Sequence, residues 1–302
     1  MKTAKEYRAL AWKALKSQFK ESFFIICGVM VAACGAVGLM YAAFFLLPDT
    51  MVGATGKAAA ALAVLCTVGL FQYFVPVWFL KLSRKESALN EGTNISYGKA
   101  LVVAFVMMLP SIVESGMDVA SKRLETIENP WVMLPAALGL MVLMVGVVAG
   151  MIWWQYAING ILPFLVHDNP NESVAAMVKR SVKETNGYKW QLFMVDLMIY
   201  IWPMVVLVVG MIAMIITLVV MMIVAGTTDV TDLLGVSLWF LVTLGVFYGG
   251  FILFFAFIIQ PMQNFAHAIF YEDLQAELHP IPVMEVEEVE TVEEVEAEEI
   301  KA

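Results

Sequence analysis

The sequence predicts an all-α, polytopic membrane bundle of six transmembrane helices, arranged as three hairpins with amphipathic helices on the cytoplasmic side. Three observations carry that prediction. First, 61% of the 302 residues are hydrophobic and 15% charged, with a mean hydropathy of +0.81, whereas a soluble domain carries about 25% charged residues. Second, the chain holds six apolar runs, and a helix crossing the ~30 Å hydrocarbon layer needs about 20 apolar residues. Third, lysine and arginine segregate to alternate connections, as they do in membrane proteins with a fixed orientation.

The spans are read at about 23–47, 58–82, 99–118, 131–166, 190–226 and 234–271. The third contains Pro110 and gives way to a polar stretch at 114–129. The fourth, fifth and sixth are too long for one perpendicular crossing, because a helix rises 1.5 Å per residue. They are expected to tilt or break, and Pro163, Pro203 and Pro261 mark the places, since proline removes a backbone donor. Of the 18 basic residues, 15 fall on one side, leaving Lys57, Lys122 and Arg123 on the other. By the positive-inside rule the chain sits in a bacterial-type cytoplasmic (inner) membrane with both ends inside. The first run does not read as a cleavable leader, whose apolar core is about 7–15 residues.

The segments between spans carry their own signals. Thr3 and Glu6 form a capping box, followed by Tyr7, Leu10, Ala11, Ala14 and Leu15 on one face. At 169–172 the order Asn-Pro-Asn-Glu suggests an N-cap and a proline at the first helical position. Val174, Met177, Val178 and Val182 then share a side, and Asn186-Gly187 ends that helix. Both basic amphipathic helices lie either against anionic lipid headgroups or against the protein's own cytoplasmic face. Twelve of the 27 acidic residues lie from Glu272 onward. Residues 1–274 therefore form the membrane domain. Residues 275–302 form an acidic tail that anionic lipid repels, expected to be disordered and able to bind a protein partner.

An internal repeat is expected around a pseudo-three-fold axis. Phe19-Lys20, Tyr97-Gly98-Lys99 and Tyr188-Lys189 open the ascending helices, and Pro76, Pro163 and Pro261 mark the descending ones. Small-residue pairs precede the prolines: Ala58/Ala62, Gly146/Gly150 and Gly245/Gly249. The last two are GxxxG motifs, which let helix backbones approach closely.

Polar groups inside apolar runs are the candidate site. Gln72, Gln155, Asn159, Gln260, Gln263, Asn264 and His267 all fall on descending helices. They either line a polar cavity or hydrogen-bond between helices. Asp196 lies in the fifth run; it binds a proton or cation at depth, or, the preferred reading, faces water or a neighbouring lysine at the interface. His267 reads as a satisfied interface histidine, and His167-Asp168 as a loop pair. Gly53 to Lys57 lacks the GxxxxGK spacing of a phosphate loop. Cys27, Cys34 and Cys66 read as buried free thiols. No metal-ligand spacing, catalytic motif, cofactor signature or nucleic-acid-binding pattern is present, and nothing indicates an oligomeric state.

Several stretches resemble a bacterial integral membrane family, domain of unknown function 975. They are Lys5-Glu-Tyr-Arg-Ala-Leu-Ala-Trp-Lys-Ala-Leu-Lys16, Leu162-Pro-Phe-Leu-Val-His-Asp-Asn-Pro170, Met177-Val-Lys-Arg-Ser-Val-Lys183, Gly187-Tyr-Lys-Trp-Gln-Leu-Phe-Met-Val-Asp196 and Phe265-Ala-His-Ala-Ile-Phe-Tyr-Glu-Asp-Leu274. The loop at 114–129 and the glutamate-valine tail depart from it. The resemblance implies the topology and makes Asp196 a residue of interest, but brings no activity. The function expected first is a non-enzymatic organiser or accessory of envelope components. The alternative is a transporter or lipid-handling protein with a polar cavity, and a buried hydrolase comes third.

Overall fold

The computed structural model describes residues 1–48, 50–86, 95–124, 130–225 and 230–280. Among them there is no strand. The elements are α1 (Ala4–Ser17), α2 (Phe19–Leu46), α3 (Met51–Ser83), α4 (Tyr97–Leu124), α5 (Pro130–Trp154), α6 (Leu162–Asp168), α7 (Val174–Glu184), α8 (Lys189–Ala225), α9 (Val230–Phe254) and α10 (Gln260–Leu278). A π-helical turn at Gln155–Asn159 follows α5, and a second at Phe255–Ile259 joins α9 to α10.

Six helical stretches are long and apolar enough to cross a membrane: Phe19–Leu46, Val52–Ser83, Tyr97–Lys122, Trp131–Asp168, Lys189–Thr217 and Phe240–Leu278. Sequential neighbours pack together, α2 on α3, α4 on α5 and α8 on α9, while α3 also contacts α4 and α10. The sidedness of the bundle is plain in its burial. Tyr73, Phe79, Leu80, Val103, Leu162, Leu165, Val195, Phe265 and Phe270 form a closed core at the end where α1, α6, α7 and α10 gather. Toward the other end apolar side chains point outward, Phe45 at 83% and Trp131 at 87% exposure. Apolar surface on this scale calls for lipid rather than water around it.

The short helices rest on this core. Thr3 caps α1 as the sequence requires: its backbone N–H donates to Glu6 at 2.7 Å and its hydroxyl accepts from the Glu6 N–H. Of the predicted face, Tyr7, Ala11 and Leu15 are fully buried, against α10 and α8, so the helix lies on protein. Met177 of α7 is likewise buried. The chain turns after α7 at Gly187, whose φ of +93° suits glycine alone among common residues.

Several expectations need correction. The N-cap of α7 is Ser173, whose hydroxyl accepts from the Ala176 N–H; Asn169 instead ends α6. The chain does break near Pro163 and a π turn precedes Pro261, but Pro203 lies within an uninterrupted α8. α4 continues to Leu124, through the first part of the stretch read as polar, and α10 runs on to Leu278. Among the described residues, a methyl on Gly146, Gly150, Gly245 or Gly249 would meet nothing within 4 Å, so no close approach is made at these glycines. Close approaches are made at Gly69 and Gly210 instead, where a Cβ would stand 2.7 Å from Met108 Sδ on α4 and 2.2 Å from the Phe247 ring. Cys34 is exposed and Cys27 and Cys66 are half-buried, because they lie on the outward, apolar half of the bundle. The tail beyond Pro280 lies outside the described residues.

Candidate functional site

The two π turns and the prolines set the geometry of the descending helices. A π turn is wider than an α turn and often occurs where a helix shapes a site. At Gln155–Asn159 it sets two carboxamides side by side, and Asn159 Nδ2 donates to Gln155 Oε1 at 3.0 Å and to the Met107 carbonyl on α4 at 3.2 Å. The second π turn delivers the chain to α10, where Gln260, Gln263, Asn264 and His267 recur at the spacing of one helix face.

These faces surround a cavity of about 710 Å³ among α2, α3, α4, the α5 π turn and α10. All seven polar residues picked from the sequence line it: Gln72, Gln155, Asn159, Gln260, Gln263, Asn264 and His267, joined by Ser111 and Tyr156. The rest of the wall is apolar, from residues such as Ile26, Val29, Phe71 and Ile152. Some of the amides are committed to the protein, as when Asn264 Nδ2 donates to the Gln260 carbonyl at 2.9 Å. Asn159 Oδ1, by contrast, is buried with no hydrogen-bond partner.

Asp196 stands behind this wall. It is 5% exposed on α8, and among the described residues no lysine pairs with it, contrary to the preferred sequence reading. His267 Nε2 lies 2.8 Å from Asp196 Oδ1, and Gln263 Nε2 donates to the same oxygen at 3.1 Å. The Tyr200 hydroxyl in turn donates to Gln263 Oε1, and Tyr156 also reaches the carboxylate. A buried carboxylate without such partners would be costly, and linked hydrogen bonds of this kind polarise one another. His267 and Gln263 thus belong both to the cavity wall and to the Asp196 network.

A second polar assembly closes the end of the bundle. Arg84 grips Asp168 through two nitrogens at 2.9 and 3.0 Å and Glu272 through Nε at 3.0 Å, while the Tyr271 hydroxyl donates to Asp168 at 2.8 Å. His167 adjoins Asp168 electrostatically but shares no hydrogen bond with it, and its Nδ1 is buried without a hydrogen-bond partner. Lys2 and the Tyr7 hydroxyl both bind Asp273, at 2.6 and 2.8 Å. Glu184 accepts from Arg180 at 2.6 Å and Gln275 at 2.7 Å, with His279 at 3.3 Å. Burial pushes the Glu184 carboxyl up, but these three partners together hold it below the usual range. Sequence reasoning missed Arg84, Glu184, Tyr271 and Glu272; charges near helix ends look alike until the fold brings them together.

Among the described residues no group of three His, Cys, Asp or Glu is placed to hold a metal ion. Comparison with family models, with curated proteins and with solved structures gives no match, so the likeness to the family of unknown function rests on the quoted residues alone.

Proposed function

We propose that the protein is a multi-pass membrane protein that takes a ligand into the cavity between its helices, as a transporter or a lipid-handling protein, without catalysing a reaction on it. The observation that supports this over an organising role is the convergence of seven polar side chains, drawn from three separate helical stretches, on one cavity. Its volume falls in the range of about 300–1,000 Å³ typical of small-ligand sites.

The rest of the architecture is read to match. The membrane is a bacterial cytoplasmic membrane, with the polar end carrying Arg84, Lys99 and Arg180 inside, beside anionic lipid. Three hairpins, α2–α3, α4–α5 and α8–α9 with α10, repeat one plan around the cavity. The recurrence of a π turn before Pro163 and before Pro261 supports that plan. The acidic tail is free to engage a protein partner.

Native mass spectrometry of the protein released gently from its own membranes tests the ligand reading. A retained small molecule is expected, and Ser111→Trp, which fills the cavity from α4, is expected to lose it. A spectrum without a retained species, or with one that the tryptophan variant keeps equally, rejects the reading.

A further inference from the structure

The composition of the cavity wall bears on what it can hold. Its polar groups are carboxamides, a histidine, a serine and a tyrosine, with no Lys, Arg, Asp or Glu among the described residues that line it. The ionisable groups at hand are His267 and, behind it, Asp196, and these are bonded to each other. An anionic head group entering here would leave water without meeting a lysine or arginine to compensate it. Nor would an ionised phosphate bring the hydrogen-bond donor that the unpartnered Asn159 Oδ1 lacks. Among the described residues, the side-chain amides of Gln72 and Gln260 make no hydrogen bond either, and each offers both donors and an acceptor. Groups that satisfy such a wall are themselves uncharged and carry donors and acceptors together. Hydroxyls do so. Beside the amides, Ile26, Val29 and Phe71 provide an apolar flank for a hydrocarbon chain.

We propose that the cavity receives an uncharged, hydroxyl-rich group, of the kind borne by a glycosyl lipid or a free sugar, and discriminates against anionic head groups. This rests on the reading of the cavity as a ligand site. Gln72, Asn159 and Gln260 are the residues that recognise it.

The test uses the full chain in phosphatidylcholine nanodiscs and three probes with the same photoactivatable acyl chain. Their heads are a glucosyl diacylglycerol, a phosphatidic acid and a primary ammonium, and crosslinks are mapped by peptide mass spectrometry. The glucosyl probe is expected to label the peptides containing Gln72, Asn159 and Gln260 at least about tenfold more than the phosphatidic acid, since tenfold is the effect of 1.4 kcal/mol. Gln72→Leu with Gln260→Leu is expected to remove that preference, while Thr67→Val, outside the cavity, keeps it. The comparison of probes on the unaltered chain stands even if the double variant fails to fold. Competition by excess glucose identifies a free sugar as the source, and competition by glucosyl lipid alone identifies a lipid head. Equal or stronger labelling by phosphatidic acid overturns the inference and leaves the cavity a ligand site. Preferential ammonium labelling that Asp196→Asn abolishes also overturns it, in favour of a cation held by Asp196. If no probe labels the cavity peptides, both this inference and the ligand reading fail.

Discussion

A carboxylate at membrane depth has neighbours in place of water, and those of Asp196 depend on it in turn. Its oxygen Oδ1 is shared by His267 and Gln263, so removing it strands two polar groups at once. Asp196→Ala is expected to lower stability by about 1–3 kcal/mol, the cost of leaving buried hydrogen-bonding groups without a partner, read as a loss of thermal stability in detergent. A fall within error of an exposed substitution would show that water reaches the network. Glu184, outside the spans, gives a pH test. Its folded-state pKa lies below its unfolded value, so its stabilisation is full above the unfolded value of about 4.3. It fades as pH drops through the folded value. The gap in stability between the natural protein and Glu184→Gln is therefore expected to be constant near neutrality and to close as the pH falls below about 4. A gap that persists in acid would mean that the lost packing, not the charge, matters. Residues of the first kind were legible in the sequence: glutamine, asparagine and histidine inside apolar runs are conspicuous because each needs a partner. Their partners were not legible. Nothing in the order of residues says that Asp196 meets His267 71 positions later.

Elements were easier to foresee than their joints. Apolar length announces a helix regardless of what it packs on, which is why six runs appear as six long apolar helices. The joints depend on which strain the packed bundle relieves. Pro203 leaves α8 unbroken, while π turns near Pro163 and Pro261 carry no separate sequence sign. GxxxG is likewise only a permission for close packing; whether a neighbour arrives is decided elsewhere, and here Gly69 and Gly210 serve instead. The second π turn has a testable role. It accommodates one residue more than a regular helix needs, so deletion of Ala256 can be absorbed by its conversion to α-helix. Deletion of Met262, beyond the turn, rotates the rest of α10 by about 100° and carries His267 away from Asp196. Thermal unfolding is expected to show a much larger loss for the Met262 deletion than for the Ala256 deletion. Equal losses would remove the π turn from its role as a register buffer.

At the scale of the whole molecule, the proposed orientation makes a prediction of its own. In a background without Cys27, Cys34 and Cys66, Lys57→Cys is expected to react with an impermeant maleimide in intact spheroplasts. Ser173→Cys is expected to react only after permeabilisation. The opposite pattern would invert the topology and place the basic end outside. The same polar end also bears on how the protein is made. α1 buries Tyr7, Ala11 and Leu15 against α8 and α10, and Tyr7 hydrogen-bonds Asp273, 266 residues further along. At synthesis rates of about 5–20 residues per second, that separation takes on the order of tens of seconds. During that interval α1 emerges without α10, and its apolar face waits for α8 and then α10 to cover it. The bundle can therefore seal only when α10 is delivered, and a ribosome stalled before α10 leaves a product with that face covered by α8 alone. Such a product presents to its surroundings apolar surface that the folded bundle keeps covered.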